Sequence, residues 1–393
     1  MGTEPHLPGE ARYRESPPFA VRAQGLDLVF YPRGADRLKR LIELIESAEK
    51  TLKLTFYIFA ADDSGRTVRD ALASAARRGV AVKLLVDAFG GANPGFFSEL
   101  EEAGGEFCLF EPRIGRRYLI RNHQKIVIVD DRIAMMGGFN IEDSYFAPPE
   151  EDGWNDLAFT LEGAVVDQLC DWFARLEKWT ENPKAQFTAI RRMVRRWDGG
   201  SGPVQLLLGG PTRGLSSWAR SVSHDLIEGR RLDMIMAYFA PAHRLTARVC
   251  QIARRGEARL VLGARSDNPA TVGAARSLYS RLLRAGTRIF EFQPCKLHTK
   301  LIVLGDAVYL GSANFDLRSL YLNLEIVLRI EDKALADRMR EFITEHVPAS
   351  EAITPALHRK RATWWNRMRW KLCWFLVSGV DYTVTRKLNL GLG

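Results

Sequence analysis

The sequence predicts an α/β protein of two tandem, pseudo-twofold related domains with mostly parallel sheets, and three observations carry that prediction. His123-Gln-Lys125 leading to Gly137-Gly138-Phe-Asn140 recurs as His298-Thr-Lys300 leading to Gly311-Ser312-Ala-Asn314. Ala76-Arg-Arg-Gly79 recurs as Ala253-Arg-Arg-Gly256, each closing an amphipathic helical pattern and followed by an apolar strand. Each half alternates strand-like and helix-like stretches, the order that builds a parallel sheet covered by helices. A chain of 393 residues is long enough to bury two such cores.

In chain order, residues 1–24 carry Glu4, Glu10, Arg12, Arg14 and several prolines without an apolar run. They read as an N-terminal extension, neither signal peptide nor membrane span. The first domain is placed at 25–197. Tyr57-Ile-Phe and Val82-Lys-Leu-Leu-Val86-Asp87 flank the helix that ends at Gly79, and Ala103-Gly104 leads through a short strand to Phe110-Glu-Pro112. An insertion with Arg113, Arg116, Arg117 and Arg121 follows, just before His123. The run Ile126–Val129 reads as a buried strand, and Gly137 to Asn140 as a returning strand and sharp turn. Residues 198–203, Asp198-Gly-Gly-Ser-Gly-Pro203, have the composition of a flexible link. The second domain, 204–348, repeats the order through Ala285-Gly286, Phe292-Gln-Pro294, Leu301–Leu304 and Gly311 to Asn314. Residues 349–393 form a basic, Trp-rich tail.

Side chains two apart leave a strand on one face, so each histidine stands beside its lysine. A lone histidine on an apolar strand is usually a satisfied core residue, but two copies at near-identical spacing argue against that. One imidazole, one ammonium and one amide, each supplied twice, are the parts of a symmetrical phosphoryl-transfer site. Small residues at Gly138 and Ser312 let the backbone approach a ligand closely.

These segments resemble the paired HxKxxxxD motifs of the phospholipase D superfamily. Tyr57-Ile-Phe, Ala76-Arg-Arg-Gly79, Asn314-Phe-Asp-Leu-Arg-Ser319 and Asn323-Leu-Glu325 resemble bacterial cardiolipin synthases in particular. The likeness spans roughly residues 25–340 and implies two phospholipase D-like α/β/α domains. It implies His123 as nucleophile and His298 as acid/base, with a phosphohistidine between two half-reactions. Lys125, Lys300, Asn140 and Asn314 would bind the non-bridging oxygens, and Asp156 and Glu325 match the carboxylates that orient the imidazoles. Asp130 stands where the motif has its acid, whereas the second copy has Gly305 there and Asp306 one place later. A shortened turn is expected to carry Asp306 into that place. The alternative is that Asp306 is a turn residue. Neither a metal nor a cofactor is expected.

A net charge of +9 favours anionic partners, and Arg117 and Arg121 are candidates for headgroup contact. Five scattered cysteines without a CxxC pair fit a reducing compartment. The tail interleaves Trp364-Trp365, Arg367, Arg369-Trp370-Lys371 and Trp374-Phe375, which suits either an interfacial helix or a terminal helix packed on the second domain. The expected function is a phosphatidyltransferase resembling cardiolipin synthase, peripheral on the cytoplasmic face of the membrane. It would act on phosphatidylglycerol in an anionic phospholipid membrane, with no nucleic-acid partner. Alternatives are a hydrolytic phospholipase D, a nucleic-acid phosphodiesterase and, from Gly305, a non-catalytic lipid-binding scaffold.

Overall fold

Two eight-stranded sheets organise the chain, whose computed structural model describes residues 13–91, 93–111, 120–182, 187–212 and 214–377. The first sheet comprises β1 (Phe19–Ala23), β2 (Leu26–Tyr31), β3 (Thr51–Phe59), β4 (Ala81–Gly91), β5 (Glu106–Phe110), β6 (Ile126–Val129), β7 (Ile133–Gly137) and β8 (Ala158–Glu162). Their order is β1-β2-β8-β7-β6-β3-β4-β5. Its helices are α1 (Gly34–Glu46), α2 (Asp63–Arg77), α3 (Ser98–Glu102), α4 (Val165–Glu181) and α5 (Phe187–Arg196).

The second half contributes β9 (Val204–Gly209), β10 (Arg231–Met236), β11 (Phe239–Ala240), β12 (Glu257–Gly263), β13 (Arg288–Phe292), β14 (Lys300–Leu304), β15 (Ala307–Gly311), β16 (Phe315–Asp316), β17 (Glu325–Glu331) and β18 (Ser350–Ala352). The second sheet runs β18-β13-β12-β10-β14-β15-β17-β9, with β11 and β16 paired beside it. Helices α6 (Ser217–Glu228), α7 (His243–Arg255), α8 (Pro269–Arg284), α9 (Leu317–Tyr321), α10 (Lys333–Glu345), α11 (Pro355–Arg361) and α12 (Trp364–Trp374) complete the described chain.

The α/β class and the internal repeat are as expected, but the sheets are mixed rather than mostly parallel. Only β3-β4-β5 and β10-β12-β13 run parallel, and the other neighbours in both sheets are antiparallel. The motif strands explain this. β6 returns into β7, and β14 into β15, through turns too short for a crossover, and such turns join only antiparallel neighbours.

The core has three layers. Alternate residues of β6 leave opposite faces, with Ile126 and Ile128 in a central layer and Val127 and Val129 in an outer one. The central layer takes side chains from both sheets and from α4, α5 and α10 between them, among them Trp172, Leu208, Leu328 and Phe342. Outer layers lie under α1, α2 and α3 on one side and α6, α7 and α8 on the other. The two halves therefore share one interior.

Both expected end segments are tied into this body. The first sheet already begins at Phe19, before the boundary at residue 25. Tyr13 crosses to the second half, its hydroxyl 3.0 Å from His346 Nε2 and its ring 4.9 Å from that of Phe292. Beyond residue 348, β18 pairs antiparallel with β13. His358 of α11 then meets Ser280 of α8 at 2.8 Å.

Candidate active site

The segments leading into β6 and β14 converge at one cleft of about 580 Å³ walled by His123, His298, Asn140, Asn314, Tyr57, Tyr145, Tyr238, Arg121 and Arg318, the size of a small-molecule site. Backbone bonds across the halves bring the two histidines there. His123 N–H donates to Leu324 O at 2.9 Å and Leu324 N–H to Arg121 O at 2.9 Å. The other side mirrors this, with His298 N–H donating to Asn155 O at 2.7 Å and Asn155 N–H to Lys296 O at 2.9 Å. Each histidine is thus stitched beside the residue that precedes the opposite half's carboxylate.

The carboxylates are consequently exchanged between copies. Glu325 Oε2 lies 3.0 Å from His123 Nδ1, and Asp156 Oδ2 lies 2.7 Å from His298 Nδ1. An ionised carboxylate only accepts, so each Nδ1 carries the hydrogen and each Nε2 keeps its lone pair. The two Nε2 atoms differ in surroundings. That of His298 is 3.4 Å from the Tyr145 hydroxyl and 3.1 Å from Lys300 Nζ. No described side chain hydrogen-bonds His123 Nε2, and the ring of Tyr57 packs 5.0 Å away, centroid to centroid.

Burial dominates the electrostatics. It pushes both imidazoles down to about 4, against the opposing pull of Glu325 on His123 and of Asp156 on His298; the neighbouring lysines push the same way as burial. Both rings are therefore neutral near pH 7. Burial also drives Lys125 well below the usual ammonium range and Lys300 to about 8. Burial alone would raise Asp156, but His298 and Lys300 outweigh it and hold this carboxyl low. An entering phosphodiester anion favours protonation of one imidazole.

Lys125 Nζ donates to His123 O and Lys300 Nζ to His298 O, both at 2.6 Å. These ammoniums lie behind the imidazoles rather than on the cleft wall. Asn140 is half occupied: its Oδ1 accepts from Ile58 N–H at 3.1 Å and its Nδ2 donates to Tyr145 Oη at 2.9 Å. Asn314 Oδ1 is buried with no hydrogen-bond partner among the described residues, which leaves this amide the more open to a ligand.

Several expected residues lie elsewhere. Gly138 and Ser312 do not line the cleft. A Cβ on Gly138 would come within 2.7 Å of Asp156 Oδ1 and 2.9 Å of Lys300 Nζ, so glycine makes room for the orienting pair. Ser312 instead gives its hydroxyl to Glu325 Oε2 at 2.5 Å. Arg121 is on the wall, its guanidinium 4.2 Å from the Phe89 ring centroid, whereas Arg117 falls outside the described residues.

Asp130 sits at the far end of β6, where its carboxylate accepts from the N–H groups of Glu49, Lys50 and Thr51 at 3.0, 2.7 and 2.8 Å. It fastens the α1–β3 connection and touches nothing in the cleft. Asp306 does not take its place. Asp130 N–H bonds Thr51 O as Gly305 N–H bonds Arg231 O, so Gly305 is the structural counterpart and Asp306 is a turn residue. Gly305 holds φ +58 against +51 at Asp130, and the shorter turn leaves the acid one position out of register.

The structure adds residues that the motifs do not contain. Tyr145 bridges Asn140 and His298. Buried Arg37 donates to the carbonyls of Asp156, Tyr145 and Trp154 at 2.6, 2.7 and 3.2 Å, fixing the loop that carries the His298 partner. Asp87 accepts from Asn122 N–H at 2.6 Å, just before His123. Only a charged residue on an apolar helical stripe, as Arg37 is, gave a signal in the sequence. Among the described residues one carboxylate trio, Glu106, Glu177 and Glu181, is close enough to hold a cation. It lies away from the cleft, and Lys83 bridges its first two members at 3.6 and 2.5 Å.

Comparison with known proteins agrees with this architecture. The family described as "Cardiolipin synthase, PLD-like domain" matches residues 41–177 and 226–347. Cardiolipin synthase B of Salmonella typhimurium is 30% identical over 362 residues, covering 86% of this chain and 82% of that one. Cardiolipin synthase 1 of Staphylococcus epidermidis is 28% identical over 357 residues, covering 87% and 72%. The crystal structure of phosphatidylserine synthase from Haemophilus influenzae Rd KW20 superposes with a TM-score of 0.72 over 94% of this chain and 97% of that one, a likeness of fold at 15% identity. With its duplicated sheets, its convergent histidines and these matches over most of its length, the chain belongs to the cardiolipin synthase, phospholipase D-like family.

Proposed function

We propose that the protein is a phosphatidyltransferase that makes cardiolipin from two molecules of phosphatidylglycerol through a phosphohistidine. One observation carries the reading: two imidazoles face a single cleft, each with Nδ1 engaged by a carboxylate of the other half. His123 Nε2 is the less encumbered, and we assign it as nucleophile. It attacks phosphorus of the first lipid, the P–N bond forms, and the bond to the headgroup glycerol breaks. His298, protonated as the anion enters, passes its proton to the departing alkoxide. The hydroxyl of a second phosphatidylglycerol then gives its proton to His298 and attacks phosphorus, and the P–N bond breaks. One glycerol leaves for each cardiolipin formed.

The remaining groups serve that charge flow. Arg121 on the wall and Asn314, through its Nδ2, would donate to the non-bridging oxygens, with Lys125 and Lys300 adding positive potential from behind. Among the described residues no helix is long and apolar enough to cross a membrane. We read the protein as peripheral on the cytoplasmic face, supported by its charge of +9 and its five free cysteines.

The test is incubation with phosphatidylglycerol vesicles and analysis of lipid and glycerol. Cardiolipin and glycerol in equal amounts support transfer, whereas phosphatidic acid as the sole lipid product makes the protein a hydrolase. His123→Ala and His298→Ala should each lower turnover by about 10³-fold or more. His298→Ala should also trap phosphorus on His123, and a trapped adduct elsewhere would overturn the assignment.

A further inference from the structure

Helix α12 has two unlike faces. Inward, Trp370 is 5% exposed and stacks on His358 with centroids 5.5 Å apart, and Trp374 stacks on His243 at 4.8 Å. Cys373 presses on Gly273 of α8, where a Cβ would lie 2.7 Å from Sγ. Outward, Trp364, Trp365, Met368, Leu372, Phe375 and Leu376 are exposed, Trp365 by 74%. With successive residues about 100° apart, these six fall within an arc of about 120°, with Arg367 and Lys371 along one edge and Arg369 along the other.

No acidic residue occurs between Glu351 and Asp381. The patch is therefore apolar in the middle and basic at both margins, the pattern that seats indoles at headgroup depth with cations over lipid phosphates. A second copy of the chain would bring the same basic margins and an overall charge of +9 against it, which opposes self-association. The position matters as much as the composition. Just past α12, Val377 lines the catalytic cleft. Phe89 of the other half lines the same cleft, 66% exposed and with the Arg121 guanidinium over its ring. Apolar groups from both halves, exposed Phe89 and half-buried Val377, thus line the cleft that α12 adjoins.

We propose that the outward face of α12 docks on an anionic phospholipid bilayer and, together with Phe89, presses the cleft mouth against the headgroups. The use of such docking, loading lipid from the bilayer plane, rests on the phosphatidyl-transfer reading. The docking itself does not, and it is read without turnover.

The experiment is co-sedimentation of the full chain with phosphatidylglycerol/phosphatidylcholine vesicles and with pure phosphatidylcholine, alongside thermal unfolding and gel filtration. The parent should bind the anionic vesicles. Trp364→Glu/Trp365→Glu/Leu372→Glu should lose about tenfold or more in affinity with its unfolding midpoint unchanged. It should still turn over a short-chain, detergent-solubilised phosphatidyl substrate. Arg369→Glu/Lys371→Glu should abolish the preference for anionic vesicles and its salt dependence. If the triple variant unfolds, Trp365→Glu alone, at the most exposed position, takes its place. Parent-like vesicle binding by the folded variant overturns the proposal, as does a parent that binds no vesicles. A change in oligomeric state with vesicle binding intact would instead assign the face to a second copy. A parent that binds vesicles but transfers no phosphatidyl group defeats the functional reading and leaves the docking standing.

Discussion

Glu325 governs His123, and Asp156 governs His298, each across the boundary between the repeats. If His123 is the nucleophile and His298 the acid/base, Glu325 acts on the attacking nitrogen whereas Asp156 acts on the proton transfers of both half-reactions. Glu325→Gln should slow formation of the phosphohistidine, and Asp156→Asn should slow both its formation and its consumption by the acceptor hydroxyl, each by about 10²-fold or more because an imidazole held in the wrong tautomer loses its role. Rapid-quench measurement of the covalent adduct separates these effects. Adduct formation at the parent rate in either variant would contradict these roles. The histidines, lysines and asparagines were visible in the sequence because each copy repeats them in order along one strand. The pairing of acids with imidazoles was not, since spacing along the chain ties each acid to its own copy whereas the fold gives it to the other.

At the scale of elements, the hairpin ends of β6 and β14 separate fold from chemistry. Asp130 accepts from three backbone N–H groups of the α1–β3 connection. Asp130→Ala should therefore destabilise the protein by about 1–3 kcal/mol while turnover per folded molecule persists. Asp306→Ala should change stability by less than about 0.5 kcal/mol, as a turn residue without such bonds. Denaturant titrations with activity normalised to folded protein check both, and a loss of chemistry in stable Asp130→Ala would restore it to the site. The motif acid was legible as a residue but not as a role, because its contacts lie at the opposite end of the strand from His123. The tail shows the same division. Its tryptophans were evident, but one set packs on α8 and the other faces out, so deleting the tail would remove both contributions at once. Substitutions on the outer face keep them apart.

At the scale of the molecule, the central layer takes Trp172 and Leu176 from the first half and Leu208, Leu328 and Phe342 from the second. Neither half can bury that surface alone, so unfolding should be a single cooperative transition, and residues 1–197 or 198–393 expressed separately should fail to fold cooperatively. Calorimetry of the whole chain and of each half tests this. Two resolved transitions, or a half with its own sharp unfolding, would show independent domains. The flexible composition of residues 198–203 suggested such independence, but it describes only the connection and not the surface on either side of it.

Residue identity and spacing determined the class of fold, the duplication and the groups able to do phosphoryl chemistry, because strand periodicity and a repeated motif are properties of neighbours along the chain. Tertiary structure decided the antiparallel pairing of β6 with β3 and of β14 with β10, the exchange of Glu325 and Asp156, the retirement of Asp130 to a loop and the outward face of α12. Each of these rests on contact between distant segments. His298 and Asp156 are 142 residues apart and His123 and Glu325 are 202 apart, and at such separations only the packed core determines which groups meet.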